Sequence, residues 1–425
     1  MELRDDVYNS FVNILKEELV PAMGCTEPIA LAYAAAKARD ILGAVPDRIV
    51  IGASGSIIKN VKSVIVPNTN HLKGIPAAAV AGVVAGKSEK ELEVISEVTG
   101  TEIEAMRKYI ENTDIIVKYI DNGLTFDIDV TVYAGEESAN VRIAVYHTNI
   151  VHMEKNGEVI FDEPVEGEKE EGLTDRSALT IENIYEFVEI LDVKDVEEVL
   201  QRQIDYNTAI AEEGLRGDYG ACVGKTLIEA YGKDVRVRAS AMAAAASDAR
   251  MSGCELPVII NSGSGNQGIT CSLPVLEFAK ELKADKEKIF KALALSNLVA
   301  IHLKTGIGRL SAYCGAVTAG AAAGAGVAYI NGGDYPLVSH TIVNALASVS
   351  GMVCDGAKAS CAAKIASSVD ASILGYEMYK RGHQFKGGDG IIKKGVENTI
   401  ENVGRLGKDG MKKTNEEIIN IMVGC

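Results

Sequence analysis

Three cysteines near the C-terminus, Cys314, Cys354 and Cys361, lie where charge is almost absent. Residues 310–333 and 335–354 contain no Asp, Glu, Lys or Arg, although 24% of the chain is charged. Residues 256–276 form a third charge-free run, which carries Cys271. Such runs mark a buried, low-dielectric centre, and sulfur ligands gathered there point to a metal cofactor, an iron–sulfur cluster foremost. Ordinary packed cysteines are the competing reading, since free Cys is among the most buried residue types.

The spacing constrains how these thiols could act together. On a continuous helix, Cys354 and Cys361 would share a face but stand about 10.5 Å apart along the axis. Gly356 removes the difficulty: Cys354 lies in a turn, Asp355 caps, and a helix begins near Ala357 with Cys361 on an early turn. Helix N-termini favour electron-rich groups. Cys314-Gly315 offers a third sulfur from another turn, and three thiolates on a cubane would leave one iron open as a Lewis acid.

Two further features could do chemistry. Cys25 lies just before a helix start, where the dipole favours the thiolate and hence a base or nucleophile; a packed structural cysteine is the alternative. The run Asn261-Ser262-Gly263-Ser264-Gly265-Asn266-Gln267-Gly268 combines polar side chains with glycines that admit a close ligand, so a substrate carboxylate is one expected guest and a plain turn the other. Pyridoxal phosphate is a rival cofactor, with Lys225, Lys304 or Lys358 as the Schiff-base candidates. The six histidines show no His-x-x-x-His pairing, which argues against zinc.

The elements that must position these groups fall into an α+β chain of two or three domains. Helices are expected over 6–20 and 29–42. Alternation predicts strands over 48–51, 57–65, 115–120, 125–133 and 140–147, with helices near 75–85, 89–97 and 102–112. This is a smaller α+β module with a largely antiparallel sheet, spanning 46–165. The acidic residues 165–174 read as a linker. Helices near 181–191, 196–213, 224–231, 235–251, 274–282, 286–298, 339–350 and 357–374 then build a large, mostly α-helical catalytic domain over 175–425. Residues 1–45, carrying Cys25, are expected to pack on it.

Composition excludes other classes. A net charge of −16 leaves no basic surface for nucleic acid. The charge-free runs are built from Ala, Gly, Ser, Thr and Asn, which argues against membrane helices. The N-terminus lacks a signal-peptide pattern, so a cytoplasmic location with reduced thiols is expected.

With these residues in view, the segment Met352-Val353-Cys354-Asp355-Gly356-Ala357-Lys358-Ala359-Ser360-Cys361 resembles the signature of the iron–sulfur L-serine dehydratase α-chain family over roughly residues 200–425. Met23-Gly24-Cys25-Thr26-Glu27-Pro28 and Pro67-Asn68-Thr69 extend the likeness, so that almost the whole chain is similar to the L-cysteine desulfidase family. The resemblance implies an oxygen-sensitive [4Fe-4S] cluster on Cys314, Cys354 and Cys361, with Cys25 as proton acceptor. It implies β-elimination of L-cysteine to pyruvate, ammonia and hydrogen sulfide. Asn68, Ser262, Ser264 and Asn266 are the candidate substrate-binding residues, and a homo-oligomer, a dimer foremost, is the expected assembly. L-Serine dehydration and a non-enzymatic iron–sulfur redox sensor are the alternatives. The terminal Cys425 is a candidate to dock at the cluster as a substrate mimic; a frayed end is the other reading.

Overall fold

A computed structural model describes residues 4–165, 173–308 and 311–423. In the N-terminal part, helix α1 (Asp5–Glu18) is followed by strand β1 (Pro21–Met23), α2 (Thr26–Leu42), β2 (Arg48–Ser54), α3 (Gly55–Val61), α4 (Gly74–Ala85) and α5 (Gly100–Asn112). Strands β3 (Asp114–Ile120), β4 (Asp127–Ala134), β5 (Glu137–Ala144), β6 (Ile150–Lys155) and β7 (Glu158–Asp162) come next. Among the described residues that follow, the regular elements are helical except for β8 (Pro257–Ile259). The α-helices are α6 (Ile181–Ile190), α7 (Glu197–Arg216), α8 (Val223–Tyr231), α9 (Val235–Met251), α10 (Gly265–Leu282), α11 (Lys286–Thr305), α12 (Gly315–Ile330), α13 (Tyr335–Val349), α14 (Cys361–Lys380), α15 (Val396–Arg405) and α16 (Lys412–Val423).

The fold is α+β, as the patterning predicts. Six strands form one sheet in the order β3-β2-β4-β5-β6-β7; the β2–β3 pair is parallel and the others antiparallel. The parallel pair is joined through α3, α4 and α5, as a crossover requires. Two apolar cores result. One is built from the sheet with α2, α3 and α4, and the other from α1 and the long C-terminal helices.

Several elements differ from the sequence expectation. Residues 57–65 are not a strand: α3 begins at Gly55, capped by the Ser54 side chain, which accepts from the Ile57 amide. The apparent alternation there comes from Lys59 and Asn60, polar residues that are buried for a reason given below. Residues 89–97 hold only a short 3-10 turn, Ser88–Glu93. The sequence reading omitted α12, whose Ala/Gly composition lacks polar contrast because the helix is buried all round. It also missed α15, α16, β6 and β7.

The N-terminal helices divide between the cores. α1 places Phe11, Ile14 and Leu15 in the helical core, whereas α2, expected there too, lies on β4 and β5 with its alanines against α4. Small residues let α2 and α4 approach closely: a Cβ on Gly82 would stand 2.1 Å from the Ala32 carbonyl oxygen. No described helix is long and apolar enough to cross a membrane.

Candidate functional site

Between α1 and α2 the chain forms β1, which pairs antiparallel with β8 in the register Pro21↔Ile259, Ala22↔Val258, Met23↔Pro257. This small ribbon ties the two cores together. It delivers Cys25 at one end and the Asn261–Gly268 loop at the other. The Thr26 hydroxyl then donates to the Gly263 carbonyl at 2.9 Å and locks the two together.

Cys25 is the N-cap residue of α2 and is buried. Its Sγ donates to Glu27 Oε2 at 3.0 Å, Thr26 Oγ1 donates to the same oxygen at 3.2 Å, and Asn60 Nδ2 donates to Glu27 Oε1 at 2.9 Å. The expected thiolate is not the resting form. Burial pushes the Cys25 thiol well up, and the Glu27 carboxylate adds to it. These outweigh the helix start, which acts through partial charges only. Burial would raise Glu27 as well, but His147, the hydrogen bond from Cys25 and Arg250 together hold it below its ordinary value.

The other thiols are assembled from three segments. Cys314 is the N-cap residue of α12 and Cys361 the first residue of α14, while Cys354 lies in the loop before it. A short antiparallel bridge pairs Tyr313 with Val353: Cys314 N donates to Met352 O at 3.0 Å and Cys354 N to Ala312 O at 2.6 Å. Cys354 packs against the helical core and Cys361 against the sheet-side core, so the thiols lie at the seam. Burial pushes Cys314 up to about 12, with Cys354 and Cys361 adding their own field. Thiols that disfavour one another's ionisation in a dry site are those a bound cation would deprotonate.

Lys59 explains why α3 carries buried polar groups. Its ammonium is held inside, donating to Asn415 Oδ1 at 2.7 Å and Ser311 O at 3.5 Å. Burial lowers its pKa, opposed by Cys354, Glu27, Asp355 and Cys314. Lys364 pairs with Asp355 and donates to Val353 O at 2.7 Å. Gly356, at φ +95°, passes close over Lys59; a Cβ there would lie 2.3 Å from the Lys59 carbonyl oxygen. Soft thiol donors, two helix starts and two nearby cations suit an anionic thiolate-bound cluster. Among the described residues, no three His, Cys, Asp or Glu side chains are close enough to hold a single metal ion. A cubane does not require that, because each thiolate binds its own iron.

The candidate substrate residues take different roles. Asn261 is committed to the interior: its Nδ2 donates to Asn297 Oδ1 at 3.0 Å, and Asn297 exchanges two hydrogen bonds with Gln203. Ser262, at φ +50°, donates to Asn261 Oδ1 and lines a cavity of about 450 Å³ bordered by Lys304, Ser311, Ala312, Met411 and Asn415. Ser264 and Asn266 open α10, and Asn266 Oδ1 has no hydrogen-bond partner. Asn68 holds a turn through Ile95 O at 2.7 Å, while the neighbouring Pro67 ring lies against Gly24. Cys271 is fully buried and donates to Asn297 Oδ1 at 3.2 Å. Sequence reasoning missed Glu27, Lys59, Asn60 and Arg250; polar residues amid an apolar helical run were the only signal. Cys425 lies outside the described residues.

Comparison with known proteins follows this geometry. The family model for the serine dehydratase alpha chain matches residues 89–420. A UPF0597 protein of Desulfitobacterium hafniense is 60% identical over 426 residues, covering 100% of this chain and 98% of the relative. UPF0597 proteins of Lachnoclostridium phytofermentans and Treponema denticola are 51% and 46% identical, over 98% and 100% of this chain and 100% of each relative.

Proposed function

The chain belongs to the serine dehydratase alpha chain family, and from that premise we propose that it is an L-cysteine desulfidase. It would be an iron–sulfur lyase that eliminates hydrogen sulfide from L-cysteine without net redox change. The observation that carries the reading is Lys59, a buried ammonium that feels both Glu27, the partner of Cys25, and the thiols of Cys354 and Cys314. A redox sensor needs the thiols but has no use for a buried thiol–carboxylate pair.

Cys314, Cys354 and Cys361 would hold a [4Fe-4S] cluster, which when bound supplies an open iron as a Lewis acid for the departing sulfur. The protein's own groups do the rest. The start of α10 and the Ser262 loop orient the substrate carboxylate, fixing the α-hydrogen toward Cys25. Cys25 Sγ accepts the α-proton as it passes its own proton to Glu27 Oε2, so no buried thiolate has to persist. The electron pair of the broken Cα–H bond forms the Cα–Cβ double bond as the Cβ–S bond breaks. Glu27 returns its proton to the released sulfide. The aminoacrylate then hydrolyses to pyruvate and ammonia.

L-Serine is the second substrate to consider, since the family model is that of serine dehydratase. A thiolate is the softer ligand and the better leaving group, which favours L-cysteine. Anaerobic reconstitution with iron and sulfide, followed by pyruvate and sulfide assays with both amino acids side by side, tests the reading. The expected result is a higher kcat/KM for L-cysteine. A higher value for L-serine makes the protein a dehydratase, and absence of turnover with either rejects the lyase.

A further inference from the structure

Arg250, near the end of α9, is a cation with no counter-ion in contact among the described residues. It is 3% exposed, its Nε has no hydrogen-bond partner, and no carboxylate pairs with it among the described residues. Isolating a guanidinium in this way is costly unless something anionic completes the site. Glu27 is near enough to feel its field, but both Glu27 oxygens are already taken by Cys25, Thr26 and Asn60. The same field reaches Cys25, so Arg250 borders the reaction centre.

The guanidinium lies against the first residue of α10. A Cβ on Gly265 would stand 2.3 Å from Arg250 Nε and 2.7 Å from Cζ, so a side chain there would displace the guanidinium from this position. The N-cap Ser264 does not cap α10 with its side chain, leaving the first amides of an 18-residue helix available. Two further buried acceptors, Asn60 Oδ1 and Asn266 Oδ1, have no partner among the described residues. Asn60 directs its amide nitrogen to Glu27, and Asn266 directs its own to Met251 Sδ at 3.7 Å. A cation beside free helix amides, with bare carbonyl acceptors on Asn266 in the same first turn and on Asn60 beside Glu27, suits an α-amino acid zwitterion.

We infer that Arg250, with the first amides of α10, anchors the substrate carboxylate, and that Asn60 and Asn266 receive the ammonium. This rests on the proposed lyase reading for the identity of the substrate, and it restricts the site to α-amino acids with a free carboxylate. Amines and amides of the same length are excluded because they leave the guanidinium unpaired.

The test is equilibrium binding to the anaerobically reconstituted protein, read by calorimetry, with 3-mercaptopropanoate and its uncharged amide as probes. The wild type should bind the acid at least about 10-fold more tightly than the amide. Arg250→Gln should weaken the acid about 10- to 100-fold and leave the amide unchanged, with iron content and Tm retained. Arg250→Lys, which keeps the charge without the planar fork, should fall between them and raise KM more than it lowers kcat. It decides the matter if the Gln variant does not fold. An acid preference that survives Arg250→Gln, an Arg250→Lys variant equal to wild type in acid affinity and KM, or a wild type without the preference would overturn the assignment. If L-cysteine is not turned over while the acid preference still depends on Arg250, the lyase reading fails and the anchor stands.

Discussion

Cys25 donates its Sγ proton to Glu27 Oε2 at 3.0 Å, both groups being buried at the start of one helix. The pair sets the protonation state of the site. Burial and the carboxylate keep the thiol above its ordinary value of 9.0, while Glu27 is held below 4.5 by His147, Cys25 and Arg250 against the effect of burial. A base acting as free thiolate would grow in strength as pH rises through the alkaline range. A relay into an already ionised Glu27 would not. α-Proton exchange in deuterated buffer, measured from pH 6 to pH 9, should therefore be flat. Cys25→Ala should keep its cluster absorbance and lose exchange, and Glu27→Gln should lower it by about 10²- to 10⁴-fold. A rate that climbs steadily above pH 8 would return Cys25 to the free-thiolate role.

Iron retention separates cluster ligands from packing cysteines. Ser variants of Cys314, Cys354 and Cys361 should each lose most bound iron, since each removes one soft ligand from the seam. Cys271→Ser should keep it, because that thiol is spent on Asn297 within the helical core. Iron is quantified after anaerobic reconstitution and desalting. Loss in the Cys271 variant with retention in the Cys354 variant reverses the assignment.

The helical character of the C-terminal half and the antiparallel bias of the sheet were legible because amphipathic periods are local. Cys314 and Cys354 stood out through the charge-free runs that hold them, whereas Cys361, between Lys358 and Lys364, stood out only through its spacing from Cys354. Other features were not. Lys59 and Asn60 gave residues 57–65 a false strand alternation, since their burial is imposed by the thiols and Glu27 rather than by the period of their own element. Arg250 sits at the end of an Ala-rich helix, where a cation is ordinary on local grounds. Its isolation depends on β8 and α10, which pack beside it only in three dimensions. The raised Cys25 thiol had the same origin, because burial cannot be judged from a cap position.

The α2–α4 contact should be intolerant of a single methyl group. A Cβ at Gly82 would lie 2.1 Å from Ala32 O and 2.8 Å from its carbonyl carbon, both backbone atoms that cannot rotate away. Gly82→Ala should therefore cost about 1–3 kcal/mol through forced separation of the helices. Gly100→Ala, at the start of α5 with nothing within 4 Å, serves as control and should be neutral or slightly stabilising. Thermal unfolding of the two variants beside the wild type checks this; equal Tm values would mean that α2 and α4 slide freely.

Asp248 supplies a pH-dependent contribution to stability. The residue is 1% exposed; Oδ2 accepts from the Gly224 amide at 3.0 Å at the start of α8, and Oδ1 has no partner among the described residues. Burial raises its pKa to about 6, against the lowering effect of the Gly224 and Val223 amides. The folded pKa thus exceeds the ordinary 3.8, so the folded state holds the proton longer than the unfolded chain. Stability from this group is complete below about pH 4 and is lost as pH rises toward and through 6. Asn keeps an acceptor for Gly224 and cannot ionise. Asp248→Asn should accordingly melt above the wild type, by ~2 °C or more at pH 7, with the gap widening from pH 5 to pH 7 and constant beyond. A gap that is absent, or that narrows with rising pH, would show that Asp248 is already ionised at little cost in the folded protein.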